Sequence, residues 1–337
     1  MSDKEKELIQ RLKMLLAKAT DTVQVESSKA ARMEFTQALE LPLRQGVMDG
    51  NNIDGIFERA ELDHGTVLEY PLDFVMPGTE KDYRAFTIPL QGHMPELHVN
   101  GDYVTIPTYE IGATIDMRMK YARDAGWFVV NRALSVLESM MTKKRNDDGW
   151  HVLLIAGADR NILVTDSVAN TGQFTKRLVS LCKTVMRRNG GGNSTSIMRG
   201  RLTDLFLSPE LVEGMRDWGI DQVDEVTRRE IYTASDDSDK LNRVFGINLH
   251  DMDELGEDQE YQNYFLNEIG TSINANDTEL LVGLDLFNND SFIMPVKTDV
   301  KLLEREDLLD QRRIGWMSLA ELGFASLDNR RVLIASA

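Results

Sequence analysis

Residues Asp116–Arg145 read DMRMKYARDAGWFVVNRALSVLESMMTKKR. Met119, Ala122, Gly126, Val130, Ala133, Leu137 and Met140 recur every three or four residues, which places apolar side chains on one face of an α-helix. Lys143, Lys144 and Arg145 close the run, where the helix dipole favours positive charge. About 30 residues at 1.5 Å each make a rod of roughly 45 Å, which is long for an ordinary domain helix. The segments on either side of this rod decide what kind of body it serves.

Upstream, from Leu43 to Gly112, the pattern is different. Pro71, Pro77, Pro89, Pro95 and Pro107 place five of the eight prolines in this one stretch. Between them lie β-type runs at Thr66–Val75, Tyr83–Leu90 and Tyr103–Tyr109, the last two with β-branched residues. Pro77-Gly78-Thr79-Glu80-Lys81-Asp82 is a strong turn. The stretch predicts a long extended hairpin projecting from the body, and long segments of this kind are usually functional. Further upstream, Ser2 and Glu5 fit a capping box ahead of Leu8, Leu12, Leu15, Leu16 and Ala19 at helical spacing. A second helix, Glu26–Leu41, sets Ala31, Phe35, Ala38 and Leu39 on one side, and Pro42 is expected to end it. Two amphipathic helices need a surface to lie on, either their own domain or a neighbouring subunit.

Downstream, Trp150–Ala156 reads as a buried strand and Phe174–Arg188 as a helix. Phe174, Leu178, Leu181, Cys182 and Val185 fall on one face of that helix, and Gly190-Gly191-Gly192 stops it. Leu205–Leu207 is a short strand, followed by Ser208-Pro209-Glu210 as a helix start. The stretch Asp251–Glu260 is acidic. Strands are expected at Leu280–Leu286, Phe292–Leu302, Ile314–Leu319 and Val332–Ala335. Strand and helix alternate here, so the body is a mixed α/β unit.

Composition narrows the function. The 337 residues are 42% hydrophobic and 28% charged, with 38 basic against 55 acidic residues and a net charge of −17. Such a chain is globular but poorly suited to gripping nucleic acid, which needs clustered Lys and Arg. The single cysteine, Cys182, excludes an internal disulfide and a Cys-based zinc site. No apolar run approaches the roughly 20 residues of a membrane span, and the charged start, Met1–Leu12, does not read as a signal peptide.

No catalytic constellation emerges. Ala156-Gly157-Ala158-Asp159 follows the expected strand but lacks a phosphate-loop fingerprint, so a plain turn is expected. His93 and His98 flank Pro95 in an extended segment with no third ligand nearby. The stretch Asp251–Glu260 lacks the register of a calcium loop and reads as a solvated face. Cys182 reads as a buried structural thiol. Ser167, Ser194 and Ser196 have no nucleophile-elbow context. No cofactor and no metal are expected.

The order is terminal helices, projecting hairpin, very long helix, α/β body and returning strands. It resembles the major capsid protein of tailed bacteriophages, the Hong Kong 97 fold shared with encapsulins. The hairpin at Pro77–Tyr83 resembles the family's E-loop and Asp116–Arg145 its spine helix. LFLSPELVEGM, residues 205–215, is similar to the family's strand and axial-domain helix start. IGWMSLAELGFASLDNRR, residues 314–331, resembles its closing signature.

The resemblance implies an α+β fold with an N-arm (1–47), an E-loop and its base (48–114), a peripheral domain (115–149 and 290–327) and an axial domain (150–289 and 328–337). It implies a structural role, not an enzyme: hexamers and pentamers of an icosahedral shell enclosing double-stranded DNA. The E-loop tip, with Pro77, Gly78, Glu80, Lys81, Asp82 and Arg84, is expected to contact the neighbouring subunit. So are Leu8, Leu12, Leu15 and Leu16 of the N-arm. The implied partners are other copies of the chain, a scaffolding protein and a portal, with a decoration protein left open. DNA is met by non-specific proximity only, and no membrane is involved. The implied location is the virion, with assembly in the host cytoplasm.

Some relatives carry a scaffolding segment of about a hundred residues at the N-terminus. None is evident here, so a separate scaffolding protein is expected. Lys81 is the sole lysine between Met48 and Ile115, hence the sole candidate for the crosslink that some relatives form. With no matching Asn and Glu identifiable, a salt bridge to a neighbour's carboxylate is the alternative. Competing readings are an encapsulin-like compartment and a soluble α/β enzyme.

Overall fold

The computed structural model describes residues 3–19, 25–49, 53–63, 66, 68–71, 103–125, 127–159, 163–166, 174–189, 200–216, 218, 243–269, 279–287 and 291–337. Two helices come first, α1 (Asp3–Ala19) and α2 (Val25–Asp49). Helix α2 runs through Pro42, which corrects the expected stop. A proline in a helix interior costs about 3 kcal/mol. Leu39, Leu43 and Val47 are buried along one face of α2, and their packing carries the helix past that break.

Four strands follow: β1 (Glu58–Glu61), β2 (Leu68–Pro71), β3 (Tyr103–Ile106) and β4 (Tyr109–Arg118). Strands β2 and β3 pair with each other and flank residues 72–102. The expected strand Tyr83–Leu90 and the turn at Pro77–Asp82 lie outside the described residues. So do His93, His98 and the triple glycine.

The long helix starts and ends later than the sequence suggests. Residues 116–118 belong to β4, whose ten residues pair without a register break against Arg313–Leu322. That ladder overrides local helix propensity. The short α3 (Met119–Ala125) leads to α4 (Trp127–Asp159), whose 33 residues make about 50 Å of helix. Trp150–Ala156 is therefore the end of a helix and not a strand. Trp150, Leu153, Leu154 and Gly157 are buried at helical spacing, and a short apolar run cannot be assigned by hydrophobicity alone. Ala156–Asp159 is likewise the last turn of α4, not a loop.

The remaining elements are β5 (Leu163–Thr165), α5 (Lys176–Asn189), β6 (Asp204–Leu207), α6 (Pro209–Arg216), β7 (Arg243–Val244) and β8 (Ile247–Asp251). After them come α7 (Glu260–Tyr264), β9 (Leu280–Leu284), β10 (Phe292–Glu304), β11 (Arg313–Leu322), β12 (Ala325–Ser326) and β13 (Val332–Ser336). The start of α6 is as expected: Ser208 Oγ accepts from the Leu211 N–H at 3.3 Å, and Pro209 opens the first turn.

The chain divides into two compact units. The first comprises Met1–Leu68, Ile106–Gly149 and Met294–Phe324. Its sheet has the order β1-β10-β11-β4. Side chains alternate along β11, with Ile314, Trp316, Ala320 and Leu322 buried. Trp316 is fully buried, its ring 6.1 Å from Phe35 of α2, and its indole N–H donates to Thr36 Oγ1 at 3.3 Å. Gly149 closes this unit, and a Cβ there would lie 2.2 Å from Ile53 Cδ1.

The second unit comprises Glu69–Thr105, Trp150–Ile293 and Ala325–Ala337. Its six-stranded sheet has the order β5-β13-β9-β6-β8-β7. Strands β6, β9 and β13 are buried along their whole length, as expected of a sheet covered on both faces. Helices α5 and α6 cover one face, packing Leu178, Cys182, Met186, Leu211 and Met215 on Leu205, Leu207, Leu249 and Leu333. The last turns of α4 cover the other face. Trp150 meets Phe206 edge-on at 4.9 Å, and Gly157 sits against Val332 and Ile334.

Candidate assembly surfaces

The E-loop tip residues Pro77, Gly78, Glu80, Lys81, Asp82 and Arg84 lie outside the described residues; the β2–β3 pair forms the described base of that segment. In the N-terminal helices, the Leu8 side chain is also outside the described set. Leu12, Leu15 and Leu16 are buried within the chain, 3%, 8% and 4% exposed. The surface these helices lie on is therefore their own unit. Arg11 ties α1 to Glu34 of α2 at 2.8 Å. Helix α2 is held on the sheet by the Arg32–Glu304 pair at 2.7 Å, both ends nearly buried. Burial pushes the Glu304 carboxyl above its ordinary range, Arg32 pulls it back, and Glu306 adds to the rise. Arg44 and Arg59 both bind Asp299, Arg59 at 2.7 Å.

Apolar side chains left open to contact are a separate group. On the helix pair they are Met14, Met33 and Leu41, and on α4 they are Phe128, Val136, Met140 and Ile155. Phe128 is 76% exposed. Sequence periodicity places Met140 on the core face, whereas Met141 is the buried residue. Phe128 and Val136 carry no signal beyond falling outside the repeat of buried positions. Where β4 passes into α3, an open groove of about 620 Å³ is lined by Met117, Lys120, Tyr121 and Asp124, beside the Arg313–Asp116 ion pair at 2.8 Å. Its lining mixes both charge signs around an exposed tyrosine, which suits contact with a surface more than it suits chemistry on a bound molecule.

In the second unit, Asp204 binds His250 Nε2 at 2.9 Å and accepts from Asn248 at 3.0 Å. Burial lifts the Asp204 carboxyl, but hydrogen bonds from His250, Asn248 and Thr203 outweigh it and hold the group below its usual range. The His250 ring stacks on Phe206 at 4.6 Å, so the pair is built into the sheet surface. Ser208 Oγ donates to Glu279 at 2.7 Å and also caps α6, so this hydroxyl is already engaged at both ends. Burial pushes the Cys182 thiol up to about 12, leaving it protonated at neutral pH. Among the described residues, no group of three or more His, Cys, Asp or Glu is placed to hold a metal ion, and no helix is long and apolar enough to cross a membrane.

No family model and no curated protein matches the chain. Solved structures do match. A structure from Microbacterium phage Oxtober96 is 9% identical and covers 85% of this chain and 90% of its own, with a TM-score of 0.55. The capsid asymmetric unit of cyanophage Pam1 is 14% identical, covers 83% of this chain and 87% of its own, and has a TM-score of 0.55. A structure from Mycobacterium phage Cain is 13% identical, with coverages of 86% and 90% and a TM-score of 0.53. The class is thus defined by fold: the chain is an α+β protein of the Hong Kong 97 type, as the order of its elements suggests.

Proposed function

We propose that this chain is the major capsid protein of a tailed bacteriophage, self-assembling into hexamers and pentamers of an icosahedral shell around double-stranded DNA. The observation that carries the reading is the likeness to the cyanophage Pam1 capsid unit, which spans 83% of the chain and takes in both compact units. The role is structural, and the shell places the chain in the virion. The unit with the six-stranded sheet serves as the axial domain around which rings close, and the unit holding β10, β11 and the start of α4 as the peripheral domain. Leu12, Leu15 and Leu16 hold the N-terminal helices on their own subunit, leaving Met14, Met33 and Leu41 to meet a neighbour. The segment between β2 and β3 reaches the adjacent subunit through Pro77, Gly78, Glu80, Lys81, Asp82 and Arg84. A projecting hairpin can link subunits through backbone hydrogen bonds, which need no particular side-chain sequence. Scaffolding and portal proteins are the further partners of assembly. Deleting residues 75–84 tests the reading: soluble, folded subunits that no longer form shells are expected. Normal particles from the deletion variant would remove the E-loop assignment.

A further inference from the structure

Helix α5 is anomalous in an acidic chain. It carries Lys176, Arg177, Lys183, Arg187 and Arg188 and no carboxylate. Removing those five positive charges from the total of −17 leaves −22 on the rest of the chain. At 100° per residue the five fall within a sector of about 140°, and 12 residues of rise spread them over about 18 Å. All five are exposed, while Leu178, Val179, Cys182 and Met186 on the opposite face are buried. Within the unit, Arg177 lies 3.7 Å from Asp166, and Lys183 donates to the Phe245 carbonyl at 2.9 Å.

The same unit presents the opposite charge elsewhere. Asp251–Ile269 contains seven carboxylates and no Lys or Arg. Asp253, Glu254, Glu257 and Asp258 are exposed there. The backbone beneath them is fixed: Met252 and Leu255 are buried, and the Met252 N–H donates to the Leu207 carbonyl at 2.9 Å. The two surfaces are borne by different elements of the unit. Helix α5 covers the sheet face that carries Leu205, Leu207 and Leu249. The acidic stretch runs off the end of β8 toward α7, whose Tyr261 stacks on Trp150, the residue packed against Phe206 on the other face.

We infer that the basic face of α5 docks on the Asp253–Asp258 surface of a second copy of this chain, as a head-to-tail contact between axial units. The inference rests on the shell reading. Its physical basis is that a copy carrying −22 outside α5 must associate with others equally acidic, and self-repulsion opposes this. A cationic stripe on one side of the unit and an anionic one on another turn that repulsion into an oriented attraction. Because the surfaces differ, the contact repeats in one direction and closes a ring when the rotation permits. The solvated acidic face read from the sequence thereby acquires a partner.

The test is charge reversal in the full chain, produced alone and together with a candidate scaffolding protein encoded by a neighbouring gene, with assembly followed by light scattering and electron microscopy. Arg187→Glu/Arg188→Glu and Asp253→Lys/Glu254→Lys are made separately and together, with circular dichroism as the control for folding. Near about 50 mM salt, where screening is weak, each pair alone is expected to raise the concentration needed for assembly about tenfold or more, and the combined variant to restore it. Wild-type assembly by Arg187→Glu/Arg188→Glu, or a combined variant no better than either pair, overturns the contact. If that variant assembles normally but its particles retain less nucleic acid, the basic face serves DNA phosphates instead. A wild-type chain that stays monomeric in both preparations removes the shell reading along with this contact. A wild type that assembles beside an equally competent variant removes the contact alone.

Discussion

Replacing Phe35 with Ala asks whether the N-terminal helices belong to the subunit or to its neighbours. Phe35 is fully buried in α2, 6.1 Å from the Trp316 ring of β11, and the next residue, Thr36, accepts the Trp316 indole N–H. A Phe side chain buries about 150–250 Å², which at about 25 cal/mol per Å² corresponds to roughly 4–6 kcal/mol of transfer. Ala retains part of that, and measured Phe-to-Ala losses in cores are about 3–5 kcal/mol. The site cannot easily collapse, because Arg32–Glu304 and Trp316–Thr36 hold the helix at its present distance. A loss of about 4 kcal/mol is therefore expected in the unassembled subunit. Urea unfolding at a concentration too low for assembly measures it. The transition that includes the first unit should move, while the packing of Trp218 on Phe174 in the second unit serves as an internal control. A loss below about 1 kcal/mol in the free subunit, together with weakened shells, would instead place the α2 surface on a neighbour.

Gly149→Ala should destabilise the first unit by about 1–2 kcal/mol, because overpacking against Ile53 Cδ1 exceeds the gain in helix propensity. Adding Ile53→Val removes that methyl and should recover most of the loss, as thermal unfolding would show. Glu279 sits above the ordinary carboxyl value of 4.5, first through burial and then through Glu210 and Glu257, with the Ser208 bond opposing. The folded state holds this proton more tightly than the unfolded chain does. Its contribution to stability is thus complete below pH 4.5 and lost as pH rises through the raised pKa. Glu279→Gln should flatten that decline, and urea midpoints across pH 4–8 would reveal an unchanged slope if the assignment is mistaken. Cys182, fully buried with its thiol at about 12, should resist thiol reagents until the chain unfolds. Rapid labelling under native conditions would contradict its placement.

Local signals account for much of the fold. Helix α5 is readable because Leu178, Leu181, Cys182 and Val185 keep helical spacing on one side, and α6 because Ser208-Pro209-Glu210 is a start signal with its own hydrogen bond. Strands β9, β10, β11 and β13 stand out through continuous or alternating apolar runs. Long-range causes explain the failures. Trp150–Ala156 is apolar enough for a strand, and the Asn146–Gly149 stretch before it resembles a turn. The helix nevertheless continues, and Ile53, distant in sequence, packs against the bare Gly149 backbone at that point. Residues 116–118 become strand because of partners almost two hundred residues away in β11. The surface under α1 and α2 was open between two possibilities for the same reason: Trp316 lies 280 residues beyond Thr36. Exposed contact residues such as Phe128 are the least legible, since an apolar side chain gives no local sign of facing outward.

Electron microscopy of the purified protein, expressed alone and with a candidate scaffolding protein encoded by a neighbouring gene, shows whether this chain builds a shell. Closed particles, tubes, or five- and six-fold rings, on the order of tens of nanometres across, are expected. A uniform monomer or dimer in both preparations would contradict shell formation.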